Sequence, residues 1–156
     1  MRKGVKNINS NNCYYYLQML LREIIPDDYF NGYMDLLFEF SNYKKEVTFD
    51  EFITYIHRRD LIRIFVAVDE NRIVGAGTIF KLDKLHNNPV GQIEDVIITE
   101  SYRGKSIGKQ IVDNLVKIGL NEMKCYKVIL NCLEKNKVFY EKCGFEQAGL
   151  EMRFIS

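Results

Sequence analysis

Residues 92–118 read QIEDVIITESYRGKSIGKQIVDNLVKI, and this stretch decides the fold. Its first part, 92–98, is rich in β-branched residues and reads as a strand. Its last part carries Ile107, Ile111, Leu115 and Ile118 at helical spacing. Between them lies Arg103-Gly104-Lys105-Ser106-Ile107-Gly108, whose small residues at 104, 106 and 108 let a ligand approach the backbone. A helix starting at about Ile107 offers unpaired N–H groups and a positive dipole end, which suits a phosphate or pyrophosphate, with Arg103 and Lys105 adding charge. Spacing alone is equally compatible with a tight strand-to-helix turn bearing solvated cations. The pattern is neither a Walker loop nor the three-glycine dinucleotide fingerprint.

Working outward, a further strand is expected over 126–132, then a short helix over about 135–143 closed by Gly144, and a tail, 146–155, able to add one last strand. Upstream, 61–68 and 72–82 form a hairpin about Asp69-Glu70-Asn71, and a polar loop with His86, Asn87, Asn88 and Pro89 leads to the strand at Gln92. A helix runs from Asp27 through Phe30, Tyr33, Met34, Leu37 and Phe40. A second starts at Thr48, with Glu51 completing a capping box. Residues 14–21 read as a strand or a short helix, 1–12 as a flexible tail, and 13–156 as one α/β domain around a mixed central sheet.

The composition narrows the function classes. With 22 Lys+Arg against 21 Asp+Glu the net charge is +1, lacking the basic excess of a nucleic-acid binder. Neither a signal peptide nor an apolar run of membrane-spanning length is visible. Cys13, Cys125, Cys132 and Cys143 include no C-x-x-C pair, so neither zinc nor another metal is expected, and a reducing, cytoplasmic location is. Cys132 reads as a small core residue inside a strand.

The turn resembles the arginine or glutamine, x, x, glycine, x, glycine or alanine signature with which GNAT-fold N-acetyltransferases hold the pyrophosphate of acetyl-CoA. Ile93-Glu94-Asp95-Val96, the run 125–132 (CYKVILNC), Glu134-Lys135-Asn136 and Phe139-Tyr140-Glu141-Lys142-Cys143-Gly144-Phe145 are similar to the glucosamine 6-phosphate N-acetyltransferase branch of that family. The likeness is dense over 92–152 and faint before Tyr29. Ser106 stands where the signature has glycine, and Asn131 where an acidic residue is common.

The resemblance implies a GNAT fold, a mixed sheet flanked by helices, and acetyl transfer from acetyl-CoA to the amine of an amino sugar phosphate by direct attack. It implies that main-chain N–H groups of Val96, Ile97 and Ile98 bind the cofactor and polarise the acetyl carbonyl. Arg103, Gly104, Lys105, Ser106, Ile107 and Gly108 would hold the pyrophosphate; Asn131, through its backbone, and Asn136 would contact the cofactor further along. Tyr140 matches the tyrosine that protonates or hydrogen-bonds the departing thiolate, and a phenol of ordinary acidity, pKa about 10, suits that role. Glu94 and Asp95 match an acidic pair aimed at sugar hydroxyls and amine; strand alternation lets one face the acetyl group. Ser41, Lys84, His86, Tyr126 and Lys127 align with substrate-contacting positions, the last two across a homodimer whose C-terminal segments complete the neighbour's site. The sequence leaves open a GNAT enzyme for another amine (a protein N-terminus, a lysine or a polyamine) and a non-catalytic CoA-binding domain.

Overall fold

The computed structural model describes residues 19–41 and 45–155. The expected tail, Cys13 and most of the segment 14–21 lie outside the described residues. Five strands form one sheet in the order β1 (Leu20–Glu23), β2 (Ile62–Asp69), β3 (Arg72–Lys84), β4 (Asn87–Ile98) and β5 (Lys127–Leu130). The first four are antiparallel neighbours, whereas β5 runs parallel to β4. The helices are α1 (Tyr33–Phe40), α2 (Phe49–Ile56), α3 (Ile107–Lys117) and α4 (Lys137–Lys142).

The sheet is covered on both sides. On one face α1 and α2 bury Leu36, Phe52 and Ile56 against Ile64, Val66 and Ile97. On the other, Ile107, Ile111 and Leu115 of α3 meet Val74, Ile79 and Ile93. Removing that apolar surface from water, at roughly 25 cal/mol per Å², is what holds the layers together.

Several local expectations hold. Thr48 caps α2: its hydroxyl accepts from the Glu51 N–H at 3.3 Å, while the Glu51 carboxylate accepts from the Thr48 N–H at 2.8 Å. The β2–β3 connection is a two-residue turn in which Glu70 and Asn71 have φ of 46° and 66°, the twist a tight hairpin requires. Gly144, with φ 90°, ends α4.

Other expectations are corrected. The helix expected from Asp27 is broken, because a 3₁₀ turn at Pro26–Tyr29 is followed by Gly32 at φ 93°, and only then does α1 begin. The 3₁₀ turn is pinned by the buried Asp28, which takes a two-pronged contact from the Arg22 guanidinium at 2.6 and 2.8 Å and the Ile25 N–H at 2.9 Å. There is no polar loop at His86: β3 and β4 run on to pair Lys84 with Asn87, so His86 stands in a two-residue hairpin tip. Residues 146–155 form no strand and expose Leu150, Met152, Phe154 and Ile155. Cys132 lies beyond β5 and is exposed rather than buried in a strand.

Candidate active site

The site follows from two breaks in the regular sheet. The first is a bulge in β4. Thr78 pairs with Glu94 and Ala76 with Ile97, so Asp95 and Val96 together oppose Gly77. Asp95 takes φ 52°, left-handed backbone that aspartate tolerates better than most residues. The consequence is visible in the core: Ile93 and Ile97, four apart and so expected on one face, pack on opposite faces. Strand alternation therefore does not decide between Glu94 and Asp95.

The second break lies between β4 and β5. Their pairing ends at Ile93 with Leu130, so β5 supplies no ladder partner to β4 from Glu94 onward, and the two strands part beside Val96, Ile97 and Ile98. Tyr140, on α4, packs against the core cluster on the α3 side of the sheet. Burial, then Cys132, Cys143 and Glu94, push its phenol up to about 12, so the hydroxyl keeps its proton across the working pH range. Tyr140 lies within electrostatic reach of Glu94. Glu94 is held by Gln92, whose amide donates to its carboxylate at 2.5 Å. Partial desolvation first, and the neighbouring charge of Glu94 second, raise the Asp95 carboxyl above its ordinary range even though the residue as a whole remains exposed.

Asp95 also brings in two residues the sequence reading missed. Tyr33, buried at the start of α1, and Tyr55 on α2 both lie within electrostatic reach of its carboxylate, and both phenols are raised, mainly by burial. Thr78, buried on β3 opposite Glu94, is within hydrogen-bonding reach of Tyr33. No local signal marks these tyrosines: Tyr33 fits the apolar face of α1, and Tyr55 stands on the exposed side of α2.

The turn after β4 leaves backbone donors open. A 3₁₀ turn at Glu100–Tyr102 precedes it, Gly104 has φ 77° with open space where a Cβ would be, and Ser106 takes the N-cap position of α3 at φ 61° with no side-chain capping bond. The first bond of α3 runs from the Gln110 N–H to the Ser106 carbonyl at 3.1 Å, which leaves earlier amides without intrahelical acceptors. Phe139 of α4 comes within 3.2 Å of where a Gly108 Cβ would stand, so a side chain there would make the Phe139 ring give way by a few tenths of an ångström. The side chains differ from a simple pair of free cations. Arg103 Nε donates to the Ile98 carbonyl at 3.1 Å, and Lys105 Nζ sits over the Tyr102 ring, 4.7 Å from its centre. Open backbone donors, a helix N-terminus and two adjacent cations fit the diphosphate of acetyl-CoA, the group that would supply the acetyl thioester.

The remaining candidates are distributed unevenly. Asn131 is exposed just past β5, and Asn136 is exposed where a 3₁₀ turn, Glu134–Asn136, meets α4. Ser41 is the C-cap of α1, its N–H bonded to the Leu37 carbonyl at 3.0 Å. Lys84 is six residues along β3 from the partner of Glu94, about 20 Å at strand rise, with His86 beyond it. Lys127 pairs with Val90, four residues or about 13 Å short of Glu94, and leans on the Tyr126 ring at 5.4 Å. Within one copy, then, Lys84, His86, Tyr126 and Lys127 gather at the end of the sheet away from the acidic pair.

Comparison with known proteins agrees with the fold. Residues 21–145 match the model of the acetyltransferase (GNAT) family. Glucosamine 6-phosphate N-acetyltransferase 1 of Dictyostelium discoideum is 38% identical over 137 residues, 84% of this chain and 87% of that protein. The glucosamine 6-phosphate N-acetyltransferase of Candida albicans is 34% identical over 138 residues, 84% of this chain and 91% of that protein. The crystal structure of the Arabidopsis thaliana glucosamine-6-phosphate N-acetyltransferase superposes with a TM-score of 0.79 at 32% identity, covering 88% of this chain and 97% of that one.

Proposed function

The chain belongs to the acetyltransferase (GNAT) family, and from that premise we propose that it transfers the acetyl group of acetyl-CoA to the amine of D-glucosamine 6-phosphate. The products are N-acetyl-D-glucosamine 6-phosphate and CoA, and the step serves UDP-GlcNAc biosynthesis in the cytoplasm. The observation that supports this reading is the parting of β4 from β5 at Ile93, just before Glu94 and Asp95, with Tyr140 within electrostatic reach of Glu94.

The chain's residues divide the work. Amides and cations from Arg103 to Gly108 hold the anionic end of acetyl-CoA, and Asn131 and Asn136 flank its course. Of the main-chain N–H groups over 96–98, those of Val96 and Ile98 polarise the acetyl carbonyl, while that of Ile97, paired with Ala76, turns toward β3. Glu94 and Asp95 bind the substrate ammonium and hydroxyls, and a carboxyl held above its ordinary range is a stronger base toward that ammonium. Tyr140 donates a hydrogen bond to the leaving sulfur. Attack is direct, with no acetyl-enzyme.

The enzyme works as a homodimer. Leu150, Met152, Phe154 and Ile155 are 84 to 98% exposed in one copy, an unfavourable placement that a neighbour's sheet would relieve. Pairing also offers Tyr126, Lys127, Lys84 and His86, remote from the acidic pair of their own chain, to the sugar phosphate in the partner, with Ser41 near the acceptor side. Among the described residues no helix is long and apolar enough to cross a membrane.

A free-thiol release assay with acetyl-CoA and a panel of amines tests the reaction. Turnover with glucosamine 6-phosphate is expected to exceed that with peptide N-termini, lysine or polyamines. Preference for one of those amines would replace the substrate, and absence of thiol release with every amine would leave a CoA-binding domain. Sedimentation of the full chain against one ending at residue 145 tests the dimer, and a monomeric full chain would overturn it.

A further inference from the structure

The cofactor turn is tied to a part of the molecule that the reaction does not otherwise use. The Tyr102 hydroxyl donates to Asp69 Oδ2 at 2.6 Å, joining the 3₁₀ turn before Arg103 to the tip of the β2–β3 hairpin, 33 residues away in sequence. The Tyr102 ring packs against the core cluster under α3, and its outer face carries the Lys105 ammonium at 4.7 Å. Lys105 has no acidic partner within ion-pair distance among the described residues, so the ring is its one support, while the nearby acidic groups Asp69 and Glu70 and the cation Arg72 belong to the hairpin. A phenol that donates to a carboxylate has a more electron-rich ring, and a richer ring holds a cation more firmly.

We infer that Asp69 and Tyr102 act as a positioning pair that sets Lys105 for the phosphates of acetyl-CoA. Neither residue touches the cofactor. This rests on the reading that the turn at 103–108 binds those phosphates. A lysine is a flexible point charge that loses side-chain freedom when it is fixed on a phosphate. Holding it in advance over Tyr102 moves that loss out of the binding step, and so tightens binding without altering the chemical step.

The test is calorimetry with CoA itself, alongside kcat and KM for acetyl-CoA, on Asp69→Asn, Tyr102→Phe, Tyr102→Leu and Lys105→Gln. Loss of a cation–ring contact predicts a two- to fivefold weaker Kd for CoA in Tyr102→Leu, about twofold in Asp69→Asn and Tyr102→Phe, and kcat within twofold in those three variants. The decisive result is non-additivity: in a Lys105→Gln background the Asp69 and Tyr102 substitutions are expected to have no further effect. If they weaken CoA binding equally with Lys105 absent, the pair merely supports the fold and the inference is overturned. Unchanged Kd in Asp69→Asn and Tyr102→Phe, which leave the ring packing in place, overturns it also. Failure of the unsubstituted protein to bind CoA would be a different failure, of the reading on which the inference rests.

Discussion

Replacing Tyr140 with Phe deletes one oxygen and keeps the ring that packs edge-on against Phe139, centroids 4.9 Å apart. Its effect depends on how the phenol is used. The sequence suggests a phenol and a thiolate of similar acidity, able to pass a proton between them. The structure separates them: burial carries the phenol to about 12, whereas a thiol ionises near 8.5. Complete transfer from Tyr140 would then be uphill by about 3.5 units, or about 5 kcal/mol. A hydrogen bond to the developing negative charge has no such cost and contributes about 1.5–3 kcal/mol. Tyr140→Phe is therefore expected to lower kcat about 10- to 150-fold with little change in either KM. The assay is initial-rate thiol release with both substrates saturating, over a pH series. Because the raised phenol keeps its proton to higher pH, no falling limb from Tyr140 is expected below about pH 11, one unit under its midpoint. A kcat within twofold of the parent would remove Tyr140 from the chemistry. A limb near pH 10 that vanishes in the Phe variant would refute the burial account.

Asp28→Ala strips the anchor from Arg22 and from the Ile25 amide, and because Arg22 keeps some solvent the loss is expected near the low end for a broken buried pair, about 3 kcal/mol. Thermal unfolding should show Tm lower by on the order of 10 °C, and a change under 2 °C would contradict it. Asp95→Asn should raise Tm at pH 7 while abolishing most turnover, since it removes a crowded charge beside Glu94. The folded carboxyl is raised, so the charged form opposes folding; that opposition fades as pH falls through the raised folded value and is gone below the ordinary carboxylate range, the stability gain should shrink over the same span, and a gain that grows in acid would be the wrong sign. Ser106→Gly relieves a side chain from left-handed backbone and should stabilise the protein by up to about 1 kcal/mol with CoA binding retained; a lower Tm would mean that the hydroxyl holds the turn.

What the sequence by itself determined is local. The α3 stripe of Ile107, Ile111 and Leu115, the glycine-marked turn before it, the Thr48–Glu51 box and the Asp69-Glu70-Asn71 hairpin are fixed by residues within a few positions of one another. Periodicity, capping and backbone preference therefore state them directly. Tertiary structure decided whatever depends on segments meeting. Nothing in Ile93-Glu94-Asp95-Val96-Ile97 announces a bulge; it arises because Ile93 must pack under α3 while Ile97 packs under α1 and α2. That bulge aims the acidic pair. Likewise Tyr33 reads as ordinary helix core, and Tyr55 carries no mark at all, until α1 and α2 bring them to Asp95, and Tyr102 gains its role only when the distant hairpin delivers Asp69. Electrostatic and hydrogen-bonding partners are set by distance in space, and only the packed layers convert order along the chain into that distance.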